Sequence, residues 1–445
     1  MDYSSLGKFL SWFVPIKNTR RTIRKYFNEK QIKVNNSIIW KNYELTLHNL
    51  QIKYKNNKKL KVVFLNSENS KWVYQSLYEE FEKLPNFEVQ VLVTAKKMIL
   101  NSKYSCCNWQ DDIKKSYNFF KVRNMNVQYA FDLKNKEFLD LQLFKPDIIF
   151  YEQPWELSNK QSPLKTSKFA LCFYCPYGSC ITNGSNEYSE PLYHDVFRYF
   201  VDNNYIQRIL EEHGCRNDAL VVAGQLKLDA YQKPINFHNI QWQSKDKKHV
   251  IYAPHHSFYK DSLLGFGTFD WNYKFFYNLA KEHQEIEFIL KPHPELKKQI
   301  LNQGLMSEKE VQEYFKAWAE LPNAQIYEEG DYFDMFRTSD LLITDCNSFL
   351  YEYLPTHKPV IHLISKNSVG HNEFGQKIIT RYYSARNIDE IKKYFKQILF
   401  QEQDLLFEVR RQIVEKDLMF LKKDVAKFVI NYIVKTLKEE NCNGM

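Results

Sequence analysis

The chain has 445 residues, 44 % of them hydrophobic, so it is long enough for two or three domains with large cores and is not a disordered polymer. A formal net charge of +9 is a modest excess at this length, and eight cysteines are too few for a disulfide scaffold. No apolar run reaches the roughly 18 residues of a membrane-crossing helix. The start, "MDYSSLGKFLSWFVPIKNTRRTIRKYF", has no basic region before its apolar stretch and no small-residue cleavage site. A signal peptide is therefore not expected, and the chain is expected in the cytoplasm.

In chain order, the first 27 residues suggest an amphipathic anchor. Leu6, Phe9, Leu10, Trp12, Phe13 and Val14 are apolar, and Arg20, Arg21, Arg24 and Lys25 follow. Apolar residues with a Trp beside a basic cluster suit the surface of an anionic leaflet, here the inner leaflet of the cytoplasmic membrane. A helix packed on the protein's own core would have the same pattern. Residues 30–57 suggest a polar helix or linker, so 1–57 is expected to be a helical, membrane-associating segment. Strand and helix patterns then alternate: "KVVFLNS" (61–67), "KWVYQSLYEEFEKL" (71–84), "FEVQVLV" (87–93), "PDIIFYEQP" (146–154) and "KFALCFYCPYG" (168–178). "FRYFVDNNYIQRILEEHG" (197–214) is expected to be helical and "ALVVAGQLKLDAY" (219–231) a strand and loop. This order predicts a doubly wound parallel sheet over residues 58–240. Cys172, Cys175 and Cys180 lie close together, with His194, His213 and Cys215 as conceivable zinc partners. A zinc site would need a second pair of ligands at the right spacing, and buried reduced thiols are the better reading.

A second set follows over 241–385. "HVIYAPHHS" (249–257) is strand then loop, "FDWNYKFFYNLAKEH" (269–283) helix, and "IEFILKPHP" (286–294) strand then loop. "SEKEVQEYFKAWAEL" (307–321) opens with a capping box of Ser307 and Glu310. "DLLITDCNS" (340–348) is a strand entering a helix, "KPVIHLI" (358–364) a strand, and residues 386–445 are expected to be mostly helical. Two Rossmann-like domains facing a cleft, with an N-terminal amphipathic helix and C-terminal helices, are expected. In open α/β sheets the ligand lies at the carboxyl ends of strands.

The polar clusters of the second half fall at such ends. His255, His256 and Ser257 follow "VIYAP", Lys291 and His293 follow "FIL", and Asp345, Asn347 and Ser348 follow "LLIT". The prolines around His293 stop any helix and stiffen the backbone. Alone, "KPHP" could be a turn and "TDCNS" a helix cap. Together they predict a cationic, donor-rich pocket for a diphosphate. GxGxxG and GxxxxGK[ST] are absent, so neither dinucleotide redox chemistry nor P-loop hydrolysis is supported.

"YAPHHS", "KPHP", "LLITDCNSFLYEYL" and "KPVIHL", in this order and spacing, resemble the CDP-glycerol glycerophosphotransferases of teichoic-acid and capsule synthesis. The resemblance is strongest over 249–365 and weaker over 61–230. It implies the GT-B fold, an N-terminal acceptor domain, a donor domain over 241–385, and a cytidine-nucleotide donor such as CDP-glycerol. It also implies an acceptor hydroxyl on a glycan or polyol phosphate, possibly lipid-linked. His293 would contact the donor phosphates and stabilise departing CMP. Ser348 and Asn347 would hold the same phosphates, and Glu352 would reach ribose hydroxyls. His256 and Ser257 stand where the family has a basic or hydroxyl residue, and Lys291, His255 and Asp345 complete the predicted pocket. The family's "HGT"-type histidine has no counterpart in "FYCPYGS" (173–179), which leaves Glu152 or Tyr177 as candidate bases. Nothing in the sequence calls for a metal or a cofactor. A sugar transferase using a CMP-sugar or another nucleotide sugar would use the same pocket and stays open. A peripheral membrane scaffold would not need three polar strand ends on one sheet edge, and no nucleic-acid-binding signature is present.

Overall fold

The computed structural model describes residues 3–12, 14, 17–100, 109–183, 188, 190–236, 242–244, 246–260, 262, 264–328, 331–416 and 424–439. The chain divides into two units. Unit 1 takes the described residues of 1–177, 186–227 and 425–445, and unit 2 those of 178–185 and 228–424. No helix among the described residues is long and apolar enough to cross a membrane.

Unit 1 opens with α1 (Tyr3–Trp12) and α2 (Lys17–Lys55), a single helix of 39 residues. Phe13, expected in the anchor, lies outside the described residues. The second half of α2 is part of the unit's core. Ile39, Tyr43, Leu47 and Leu50 are buried, and Lys53 pairs with Asp147 at 2.6 Å. There follow β1 (Leu60–Asn66), α3 (Gln75–Glu82), β2 (Phe87–Val93), α4 (Trp109–Lys121), β3 (Val127–Tyr129) and a small antiparallel pair, β4 (Phe131–Asp132) and β5 (Glu137–Phe138). Then come β6 (Ile148–Tyr151), α5 (Pro163–Thr166), β7 (Leu171–Tyr174), α6 (Pro191–Asp195), β8 (Arg198–Val201), α7 (Asn204–Glu212) and β9 (Leu220–Val222). The main sheet runs β3-β2-β1-β6-β7-β8-β9, parallel throughout. Strands β6 and β7 are buried along their whole length, as strands covered on both faces by helices must be.

The stretch 197–214 departs from the helix expected there. Arg198–Val201 is a strand, because its apolar side chains are buried where β8 pairs with β7. The helix begins only after Asn203, whose side chain caps it by accepting from the amides of Tyr205 and Ile206.

Unit 2 contains β10 (Lys248–Ala253), α8 (Phe269–Glu282), β11 (Ile286–Leu290), α9 (Leu296–Asn302), α10 (Glu308–Ala319), β12 (Ala324–Ile326), α11 (Phe333–Thr338), β13 (Leu341–Thr344) and α12 (Asn347–Glu352). β14 (Val360–Leu363), α13 (Glu373–Ile379), β15 (Tyr383–Ala385), α14 (Ile388–Phe395) and α15 (Phe407–Lys416) complete it, before α16 (Val425–Lys438) returns to unit 1 and packs on α2 and α3. The sheet runs β12-β11-β10-β13-β14-β15, again all parallel. The capping box forms as expected at the start of α10, with Ser307 and Glu310 satisfying each other's backbone amides. The core packs Val250, Tyr252, Phe288, Leu290, Ile343 and Ile361 from the strands against Phe276, Phe315 and Trp318 from helices.

In each sheet the strand order reverses once near the centre, between β1 and β6 and between β10 and β13. The carboxyl ends of strands beside such a reversal are where an open α/β sheet leaves a crevice.

Candidate functional site

In unit 2 the reversal lies among the polar strand ends singled out in the sequence. Strand β10 pairs with β11 on one side and β13 on the other, so His255, Lys291 and Asp345 emerge from adjacent strands. Backbone bonds zip the first two ends together: the Lys291 amide donates to the Tyr252 carbonyl at 2.8 Å and the His293 amide to the Pro254 carbonyl at 3.1 Å.

This zipping gathers three imidazoles. Ring centroids lie 4.3 Å apart for His255 and His256, 4.9 Å for His255 and His293, and 4.3 Å for His256 and His293. Nitrogens of all three fall within 4.8 Å of one another, which raises the question of a metal ion. The hydrogen bonds on the far side of the rings answer it. His293 Nδ1 accepts the backbone N–H of Glu295 at 3.1 Å. A backbone amide only donates, so Nδ1 is bare and the hydrogen sits on Nε2. His255 Nδ1 lies 2.7 Å from Ser257 Oγ, which already accepts the amides of Phe266 at 3.0 Å and Gly267 at 3.2 Å. The hydroxyl hydrogen is therefore directed at Nδ1, and His255 too carries its hydrogen on Nε2. A metal-ligating histidine has the opposite arrangement, with one nitrogen donating to the protein and the other bare for the ion. Two of the three rings thus present N–H donors and fit an anion better than a cation. Burial, with His293 and His256 beside it, drives the His255 pKa well below its ordinary value, so the ring is neutral. Burial also lowers His256, whose Nδ1 is buried without a hydrogen-bond partner, so no neighbour imposes its tautomer.

The other predicted residues fall into distinct places. Lys291 is 6 % exposed, with its ammonium 5.0 Å from the Tyr327 ring and 4.8 Å from that of Tyr332. Asp345 is buried and accepts the amide of His255 at 2.6 Å, the amide of Thr268 at 2.6 Å and the Thr268 hydroxyl at 2.7 Å. Burial pushes its pKa up to about 7 against the pull of these donors. Asp345 therefore latches the β10 and β13 ends together and fixes His255, and Ser257 is likewise committed to the 266–267 backbone. Glu352, at the far end of α12, is fully buried and takes the hydroxyl of Tyr332.

The side-chain cap that "TDCNS" alone could have formed is not made. The N-cap of α12 is Cys346, whose side chain makes no capping bond, and Asn347 and Ser348 are the first two helical residues. Ser348 Oγ lies 3.3 Å from Cys346 Sγ, and Asn347 Oδ1 is met at 2.9 Å by His371 Nε2. Neither side chain is spent on the helix backbone. His371 was not among the expected residues. It lies in the loop between β14 and α13, eight residues beyond Leu363, too far past the strand for the strand-end rule to point to it.

Glu152 belongs to unit 1. It is 2 % exposed at the end of β6, with its carboxylate accepting the Ser67 amide at 2.6 Å, the Ser67 hydroxyl at 3.0 Å and the Glu68 amide at 3.2 Å. It fastens the turn after β1, and burial raises its pKa to about 7. Tyr177 lies edge-on to Trp155 at 5.6 Å, with Lys71 above both rings. Cys172, Cys175 and Cys215 are buried thiols not joined in disulfides.

Two parallel, doubly wound sheets of this kind define a GT-B-type protein. Solved structures similar to the chain include a putative UDP-N-acetylglucosamine 2-epimerase from Listeria monocytogenes (13 % identity, TM-score 0.56), covering 86 % of this chain and 98 % of that one. S. aureus MnaA with UDP (15 %, TM-score 0.54) covers 87 % and 100 %, and UDP-GlcNAc 2-epimerase from Neisseria meningitidis bound to UDP-GlcNAc (13 %, 0.52) covers 84 % and 100 %. At such identities the likeness is one of fold. No curated protein sequence matches the chain. Residues 181–366 match the model of the family described as CDP-Glycerol:Poly(glycerophosphate) glycerophosphotransferase. The match supports the family resemblance carried by the motifs and a transferase of the glycerophosphotransferase type.

Proposed function

We propose that the protein transfers glycerol phosphate, or a related polyol phosphate, from a CDP-activated donor to a hydroxyl of a cell-surface glycan or teichoic-acid-like acceptor. The acceptor oxygen attacks the phosphorus next to glycerol, the bond from that phosphorus to the bridging oxygen breaks, and CMP leaves with the electron pair. The observation that carries this reading is the pair of imidazole N–H donors, His255 and His293, held beside Lys291 at the centre of the unit 2 sheet. Fixed donors aimed at a phosphate that gains charge as it departs are what stabilises such a transition state.

In this reading His293 donates to the leaving phosphate, and His255 and Lys291 add positive potential. Asn347 and Ser348 hold the phosphate oxygens. His256, whose tautomer is not imposed, accepts the proton of the attacking hydroxyl. Glu152 has each of its oxygens engaged by unit 1, which makes it the weaker candidate for that base.

The acceptor is met at a membrane surface. Phe9 and Trp12 of α1 are 60 % and 77 % exposed, and Arg20 and Arg24 lie on the adjoining α2. Exposed aromatic residues beside arginines suit an anionic interface.

The deciding experiment offers the purified protein CDP-glycerol, other CDP-alcohols, CMP-sugars and UDP-sugars with a glycan acceptor and follows the product by mass. Phosphodiester transfer adds phosphorus to the acceptor and releases CMP. A product that gains a sugar without phosphorus replaces the reading with that of a nucleotide-sugar transferase.

A further inference from the structure

An asparagine placed to bind a phosphate has a weakness: its amide is nearly symmetric in shape, and a half-turn replaces the NH₂ donor by a carbonyl oxygen that repels the anion. Asn347 is so placed, and its carbonyl end is occupied. His371 Nε2 lies 2.9 Å from Asn347 Oδ1. Burial brings the His371 pKa down to about 4, so the ring is neutral at working pH and carries one hydrogen. Facing a carbonyl oxygen, that hydrogen belongs on Nε2, because a bare nitrogen there would set two lone pairs against each other. The Asn347 NH₂ makes no hydrogen bond among the described residues and is turned away from His371.

His371 is itself held firmly. It forms an isolated antiparallel bridge with Thr182. The Asn372 amide donates to the Ile181 carbonyl at 3.2 Å, the Asn372 side chain to the Cys180 carbonyl at 2.8 Å, and the Asn183 amide to the Gly370 carbonyl at 3.2 Å. Gly370, at φ +79°, makes the turn that delivers His371, a conformation that side chains rarely adopt. The ring packs on Phe266 and His362, with centroids 5.5 and 5.7 Å away.

We infer that His371 is a positioning residue for the donor phosphate: by donating to Asn347 Oδ1 it locks the Asn347 amide with its NH₂ toward the phosphate oxygens. This rests on the donor-site reading above. It adds a residue that touches no substrate and acts through another, and it makes segment 180–183 a support of the site.

A double-mutant cycle tests it, with CMP as the probe and calorimetric titration as the readout. Asn347→Ala should weaken CMP roughly tenfold or more, as expected for loss of a hydrogen bond to a charged group. His371→Ala should weaken it by a similar factor, and His371→Gln, whose amide can still donate to Oδ1, by clearly less. In the Asn347→Ala background, His371→Ala should cause no further loss, because its only route to the phosphate is gone. A merely structural histidine would give losses that multiply. Multiplying losses, or wild-type affinity in His371→Ala, overturn the role of His371 alone. Unchanged affinity in Asn347→Ala overturns the donor-site reading and this inference with it. If His371→Ala does not fold, His371→Leu, which fills the space but cannot donate to Oδ1, takes its place in both backgrounds.

Discussion

The imidazole of His293 stands between two prolines with its Nδ1 held by the Glu295 amide, so one ring nitrogen is committed before any ligand arrives. The ring is only half-buried beside His255 and His256, and the residue's backbone bond to Pro254 does not depend on it. His293→Ala should therefore fold normally while transfer falls roughly 10²- to 10³-fold, the usual cost of removing one preorganised donor. Turnover near wild type would return the "KPHP" histidine to a turn residue. His362 shows the opposite case, a histidine whose ring is sealed in the sheet. It is 3 % exposed, its Nδ1 has no partner, and burial lowers its pKa from the ordinary 6.5 to about 3. Between those values the unfolded chain binds a proton that the folded chain refuses. The stability this histidine contributes is complete above pH 6.5 and is lost as pH falls toward 3. Asp345 and Glu152, raised to about 7, act in the opposite direction, and comparison with wild type cancels them. His362→Leu should lose roughly 2–3 kcal/mol less than wild type between pH 7.5 and 4.5. Urea unfolding at the two pH values measures this, and equal losses in both proteins would show that His362 is not held neutral.

At the scale of elements, the approach of segment 178–183 to α13 depends on one missing methyl group. A Cβ on Gly375 would lie 2.0 Å from the Ile181 carbonyl oxygen and 2.9 Å from His371 Cβ, both fixed by the bonds around them. Gly375→Ala should destabilise unit 2 by about 1–3 kcal/mol, the cost of overpacking, and should weaken CMP binding by displacing His371. A variant as stable as wild type would mean that the segment yields freely and supports nothing. This contact is the kind of feature that local pattern does not show. The strands of both sheets are legible because an unbroken apolar run ended by Pro or a polar cluster is a local signal, and so is the capping box of α10. The edge strands β3 and β15 are three residues each, too short for a period to register. Strand β8 merges with the pattern of the helix that follows it because Tyr199, Phe200 and Val201 suit an apolar face in either state. Only pairing with β7 and β9 decides it.

For the whole molecule, the N-terminal helices form the part whose role is separable from the nucleotide site. Deleting residues 1–27 removes α1 and the first basic turns of α2, and leaves Ile39, Tyr43, Leu47 and Leu50 in the unit 1 core. The shortened protein should no longer float with anionic vesicles, while its affinity for CMP, which the proposed site would bind through unit 2 residues, stays unchanged. Equal flotation with and without the segment would remove the membrane role. The family resemblance, and the GT-B fold it implies, was legible because "YAPHHS", "KPHP" and "LLITDCNS" are contiguous strings, and the doubly wound parallel sheets because strand and helix alternate. Which residue types stand at the strand ends is likewise a local matter, set by where each apolar run stops. The division of labour among them is not. Asp345 and Ser257 become supports, and His255 and His293 become N–H donors, through bonds to Thr268, Phe266, Gly267 and Glu295. His371 comes from the loop between β14 and α13. A ring nitrogen's hydrogen is placed by whichever partner the fold brings to its other side, and that partner's position along the chain carries no sign of it.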